Sequence, residues 1–315
     1  MLVDTLFVIA LLMLLYYGAE FLVGGASSVA IRFGVPVLVV GLTIVAYGTS
    51  APELVVSVQS ALKGNGGIAA GNVVGSNIFN ICVILSVAAL FKPVRAHLKV
   101  LRVDTPLMVA TSILGLYVLS DFFVSRPEAV ILLLLAIGYT IFSYWGSKKE
   151  PSAPIEPVHV SNADEPTNSL GLMILKIVGG IVLLAGGSQL LVMGSVGLAQ
   201  ALGISEAVIG LTIVSAGTSM PELATSVVAA RKGQSDIALG NVIGSNLFNI
   251  LFILGAAATI QPFEAMGITW IDLGMMIGVS VLILPFIWSG KTLNRLEAGC
   301  LLAVYAGYLW FLWPQ

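Results

Sequence analysis

The sequence predicts an all-α membrane protein whose ten transmembrane helices form two inverted five-helix repeats. Three observations carry this expectation: an extreme apolar composition, a one-sided distribution of lysine and arginine, and a duplication at a fixed offset of 169 residues.

Of the 315 residues, 58% are hydrophobic and only 10% are charged. Soluble domains carry about 25% charged residues. Mean hydropathy is +1.03, and many uncharged stretches reach the roughly 20 residues that cross a bilayer. This excludes a soluble enzyme or a nucleic-acid-binding domain and makes the lipid bilayer the main partner; no protein partner is implied. Cys82 and Cys300 lie in apolar stretches and read as small buried hydrophobes. Asp4 stands where a cleavable leader would be positive, so the first span is expected to be permanent.

Hydropathy and helix breakers place spans at 3–31, 36–61, 67–90, 104–120, 127–146, 170–200, 205–230, 237–260, 268–289 and 293–313. The first and sixth are overlong and are expected to be tilted or peripheral. The stretch 147–168, rich in Pro, Ser and acids, reads as a cytoplasmic linker between a first repeat, 1–146, and a second, 169–315. With both termini outside, Arg32, Lys92, Arg95, Lys99, Arg102, Lys148, Lys149, Lys176, Arg231, Lys232, Lys291 and Arg295 fall on the inner side, against only Lys63 and Arg126 outside. A wrong span count would scramble this split. The pattern fits a multi-pass protein of the plasma (inner) membrane, with Trp310 and Trp313 in an interfacial belt.

The duplication is gapless from Gly41 to Ile81. VVGLTIVAYGTS (39–50) matches VIGLTIVSAGTS (208–219), PELVVSV (52–58) matches PELATSV (221–227), and GNVVGSNIFNI (71–81) matches GNVIGSNLFNI (240–250). Five spans per half is an odd number, so the second half enters the membrane from the opposite face. Inverted repeats of this kind place their site at the repeat interface near the midplane.

Ionisable groups at that depth are costly and mark function. Glu53 and Glu222 are matched mid-span acids in GTSAPEL (48–54) and GTSMPEL (217–223). Each motif pairs proline with glycine, which breaks the helix and is expected to free carbonyls at Ala46, Tyr47, Ser215 and Ala216. Thr49, Ser50, Thr218 and Ser219 share a face with the glutamates. The partner spans contribute Ser76 with Asn80 and Ser245 with Asn249, each pair four residues apart. Gly71, Gly75, Gly240 and Gly244 allow close helix contact, and Asn72, Asn77, Asn241 and Asn246 can tie broken backbone together. Such an all-oxygen set suits hard cations. Two carboxylates balance one divalent or two monovalent ions, so calcium and sodium would compete, as exchange requires. Glu20, matched by neutral Gln189, reads as structural or peripheral; Asp104, Glu128, Asp272 and Glu297 sit at helix ends and are expected to reach the interface. His97 and His159 read as plain surface residues. An intramembrane serine hydrolase would need a base near Ser50 or Ser219, and neither histidine lies in a span. A single-chain inverted repeat also suits a carrier better than a channel.

At these motifs the chain resembles the sodium/calcium exchanger branch of the cation/calcium exchanger superfamily, across roughly 36–93 and 205–262. The resemblance implies a central calcium site between Glu53 and Glu222, with backbone oxygens of Thr49 and Thr218. It implies sodium sites using Ala46, Ser50 and Ser76 on one side and Ser215, Ser219 and Ser245 on the other. It further implies electrogenic exchange of three sodium ions per calcium, no cofactor or enzymatic activity, and sliding of the first and sixth helices. Asn249 stands where potassium-dependent members carry an acid, and GTS-x-PE stands where proton-coupled relatives read GN-x-x-E; both favour sodium coupling over the alternative, a calcium/proton exchanger of the same fold.

Overall fold

The computed structural model describes residues 2–147, 169–201 and 204–312; all of the linker but Ser147, together with His159 and Trp313, lies outside them. The described helices are α1 (Leu2–Phe33), α2 (Val37–Thr49), α3 (Ala51–Leu62), α4 (Gly66–Phe91), α5 (Val100–Val118), α6 (Arg126–Ser147), α7 (Leu170–Ala201), α8 (Glu206–Thr218), α9 (Met220–Arg231), α10 (Ser235–Ile260), α11 (Trp270–Trp288) and α12 (Arg295–Leu312). Eight are long and apolar enough to span alone. The pairs α2–α3 and α8–α9, bent by 44° and 43°, complete a set of ten.

Two short antiparallel ribbons fix which loops share a membrane face. β1 (Val94–Arg95) pairs with β4 (Thr292–Leu293), and β2 (Phe123–Val124) pairs with β3 (Phe263–Glu264). The register Val94 to Leu293 becomes Phe263 to Val124 when 169 is added to one member and subtracted from the other. Loops that are repeat mates therefore lie in different ribbons, at opposite ends of the helices. This is the signature of inversion, and it agrees with the ten-span count.

Burial sorts the spans. The apolar windows of α4 and α10 are 83% and 94% buried, whereas those of α7 and α12 are each 22% buried. The exposed Leu135, Ile137, Leu175, Val182 and Trp310 on α6, α7 and α12 form an apolar outer surface, as a lipid-facing helix requires. Cys82 is buried as expected. Cys300 is exposed on α12, because that helix turns its flank outward.

At 32 residues each, α1 and α7 are about 48 Å long at 1.5 Å per residue, well beyond the roughly 30 Å hydrocarbon core. They pack lengthwise against each other at one side. A Cβ on Gly18 would stand 3.1 Å from the Gly180 carbonyl, and one on Gly180 would stand 2.7 Å from that of Gly18, so small residues set this crossing.

Two helix-end acids depart from expectation. Asp104 and Asp272 are each only 1% exposed rather than interfacial. Asp272 closes a capping box, accepting from the Thr269 N–H (2.8 Å) and hydroxyl (2.7 Å), and also takes the Tyr308 hydroxyl at 2.6 Å. A capping acid is drawn back onto its own helix end rather than outward. Glu128 and Glu297 cap their helices in the same way from half-buried positions, accepting from the N–H groups of Ser125 and Asn294. Glu20 is structural: it pairs with Lys232 at 2.5 Å, tying α1 to the end of α9. His97 is an exposed surface residue, as expected, and its Nε2 lies 3.3 Å from Asp236 at the start of α10.

Candidate ion-binding site

The site begins with two broken helices. Pro52 and Pro221 lack the N–H that would bond the carbonyl four residues back, so Gly48 and Gly217 lose their helical partners. The turn falls at Ser50 (φ −80°, ψ 10°) and Ser219 (φ −84°, ψ 8°). The prolines thus add the carbonyls of Gly48 and Gly217 to those expected to be free. Those of Ala46 and Ser215 still accept the N–H groups of Ser50 (3.1 Å) and Ser219 (3.0 Å). Chain direction then resumes, placing Glu53 and Glu222 in the first turns of α3 and α9, where the positive end of the helix dipole favours a carboxylate.

α4 and α10 approach these breaks without side chains in the way. A Cβ on Gly75 would meet the Leu211 carbonyl oxygen at 2.5 Å, and one on Gly244 would meet that of Leu42 at 2.7 Å. Contact at backbone distance brings Ser245 within hydrogen-bonding range of Ser50 and Glu222; Ser76, Asn80 and Asn249 lie on the same two spans. Asn80 and Asn249 each begin a π-helical turn, Asn80–Ile84 and Asn249–Leu254, a distortion frequent at functional sites.

The hydrogen bonds cross between the halves in matched pairs. The Ser50 hydroxyl donates to Glu222 Oε1 at 2.8 Å, and the Ser219 hydroxyl donates to Glu53 Oε1 at 2.9 Å. Thr49 reaches Asn241 Oδ1 at 3.1 Å, and Thr218 reaches Asn72 Oδ1 at 3.0 Å. Asn72 Nδ2 in turn holds the Glu53 carbonyl and Ser57, as Asn241 Nδ2 holds the Glu222 carbonyl and Ser226. Those two asparagines tie the backbone at each glutamate. The threonine hydroxyls donate into this scaffold.

Glu53 is 1% exposed and Glu222 is fully buried. Glu53 Oε2, Glu222 Oε2, Ser76 Oγ, Asn80 Oδ1 and Asn249 Oδ1 are all buried without a hydrogen-bond partner. Buried polar atoms are ordinarily satisfied, and anionic oxygen left bare is the costliest exception. These oxygens together make a donor set for a hard cation. Ser245 differs from its mate Ser76: it contacts Ser50 at 3.1 Å and donates to Glu222 Oε1 at 3.3 Å. Sequence reasoning missed Ser188 on α7, whose hydroxyl donates to the freed Gly217 carbonyl at 2.9 Å. Its repeat mate is Ala19, so the duplication gave no signal for it.

Two mirrored broken helices, crossed by two glycine-lined spans and enclosing buried acids, define a multi-pass carrier of the inverted-repeat class. The sodium/calcium exchanger protein family matches residues 3–145 and 172–313. The chain belongs to that family; it is a membrane transporter, not an enzyme. It is 35% identical to the inner membrane protein YrbG of Escherichia coli K12, over 100% of this chain and 99% of that one. It is 33% identical to the sodium/calcium exchanger MaX1 of Methanosarcina acetivorans, over 98% and 97%. A solved structure of the sodium-calcium exchanger NCX_Mj, soaked with Na+ and Ca2+, superposes with a TM-score of 0.80 at 29% identity, covering 97% of each chain.

Proposed function

We propose that this chain is a sodium/calcium antiporter that binds both ions at Glu53 and Glu222. The observation that carries the reading is the pair of bare, buried carboxylate oxygens, one per half, beside unpartnered amide and hydroxyl oxygens. A divalent ion between the two carboxylates neutralises both. Sodium ions bound by the same acids do so in its place, and occupancy by one kind excludes the other. Calcium takes the central position with main-chain oxygens of Thr49 and Thr218. Sodium takes flanking positions with Ala46, Ser50 and Ser76, and with Ser215, Ser219 and Ser245; Asn80 and Asn249 supply amide oxygens between them. Three sodium ions against one calcium move a net charge, so the cycle is electrogenic. The two functional halves are 1–146 and 169–315, with both termini outside and 147–168 cytoplasmic, the orientation that the basic residues favour. The names carried by MaX1 and NCX_Mj support the choice of ions.

Calcium uptake into proteoliposomes, with sodium, potassium and proton gradients imposed separately, tests this. An outward sodium gradient at clamped pH is expected to drive uptake. Uptake that follows pH and ignores sodium would make the chain a calcium/proton exchanger instead.

A further inference from the structure

On the approximate two-fold axis, four asparagines of α4 and α10 close a ring. Asn77 Nδ2 donates to the Asn246 carbonyl and Asn246 Nδ2 to the Asn77 carbonyl, each at 3.3 Å. Asn249 Nδ2 donates to Asn77 Oδ1 at 3.0 Å, and Asn80 Nδ2 to Asn246 Oδ1 at 2.9 Å. The Met276 and Met108 sulfurs face the Nδ2 groups of Asn77 and Asn246 at 3.9 and 3.6 Å. All four asparagines are at most 1% exposed.

This ring dictates which way each amide points. A main-chain carbonyl only accepts, so the group Asn77 turns to it must be the NH2. Its oxygen then faces the other way and needs a donor, and Asn249 supplies one. With its nitrogen committed, Asn249 turns Oδ1 away from the ring. The same chain of reasoning, started from Asn246, turns Asn80 Oδ1 outward. Those two oxygens are the ones left buried and unpartnered.

We infer that Asn77 and Asn246 are positioning residues that lock the amides of Asn80 and Asn249 with their oxygens toward the transported cation and their nitrogens away from it. The inference rests on the ion site proposed above. A reversed amide would set oxygen against oxygen in the ring and present N–H groups to a cation, so the ring enforces a cation-accepting face without itself touching the ion.

The test is the calcium dependence of sodium-driven uptake in proteoliposomes, read as KM separately from maximal rate, alongside the melting temperature of the purified protein. Asn77→Ala and Asn246→Ala are expected to raise the calcium KM about tenfold, the usual scale for removing a group that orients a metal ligand. Asn77→Asp keeps an oxygen acceptor for Asn249 but loses the donor to the Asn246 carbonyl, and should raise KM less than Asn77→Ala does. The double variant Asn77→Ala/Asn249→Ala should have the KM of Asn249→Ala alone, since Asn77 acts through Asn249. A lowered melting temperature with unchanged KM in both alanine variants, or effects that multiply in the double variant, would overturn the inference. If Asn77→Ala fails to fold, Asn246→Ala and Asn77→Asp decide it. Unchanged KM in Asn249→Ala and Glu53→Gln would instead overturn the ion site, and with it the role given to the ring.

Discussion

The two halves agree where they hold the glutamates and differ where the outer helices meet them. Asn72 and Asn241 bind their glutamate carbonyls at the same 3.2 Å, and Ser50 and Ser219 reach across at 2.8 and 2.9 Å. Around this matched core, Ser188 stands opposite Ala19, Tyr47 opposite Ala216, and the Glu20–Lys232 pair opposite Gln189 and Lys63. Tyr47 bonds Thr140 and stacks on Phe248 at 4.3 Å, contacts that an alanine cannot make. In an ideal inverted repeat the two access states would be equal in energy, because each is the other turned over. Contacts present in one half alone lift that equality. The lesson is that the proposed ion chemistry sits in the duplicated part, and the contacts able to bias one state over the other sit in the unduplicated part.

That comparison can be broken most severely at the acids. Glu53→Gln and Glu222→Gln should each cut calcium uptake about 100-fold or more, since a divalent ion is left with one carboxylate to balance its two charges, while the folded protein survives. Near-wild-type uptake in either would break the equivalence. Gly75→Ala and Gly244→Ala should follow, both lowering the yield of folded protein, because each Cβ meets a backbone oxygen and overpacking costs about 1–3 kcal/mol; a normal melting temperature would count against backbone contact.

Ser50→Ala and Ser219→Ala sharpen the comparison. A hydroxyl bonded to a charged group is worth about 1.5–3 kcal/mol, so both should raise the calcium KM. Ser50→Ala should have the larger effect, because Ser50 also contacts Ser245; equal shifts would make that contact inconsequential. The smallest effects belong to Glu20→Gln and Ser188→Ala, at about 1 kcal/mol each. They should alter the ratio of KM values measured from the two membrane sides without changing their product much. Equal shifts on both sides would move state preference elsewhere.

Most of the fold could be read from the chain. The 169-residue offset and the placement of fourteen basic residues fix span number and inversion, and the paired ribbons at Val94 and Phe263 agree with both. The residues of the candidate site also stood out, because duplication repeats GTS-x-PE and GSN-x-FN. What escaped has no repeat and depends on tertiary approach. Ser188 is a serine in an apolar helix, unremarkable until α7 packs on the Gly217 carbonyl. The burial of Asp272 follows from how its helix end is capped and covered, and that of Asp104 emerges only in the packed fold.

The crossed serine–glutamate bonds have a further consequence. Each half carries only part of the candidate site, and neither completes it alone. Two separate copies of a single ancestral half, inserted in opposite orientations, would rebuild the same bonds. Fusing them into one polypeptide replaces a chance encounter with a tethered one, at an effective concentration on the order of millimolar, and releases each copy to diverge. Ala19 with Ser188 and Tyr47 with Ala216 are the marks of that release.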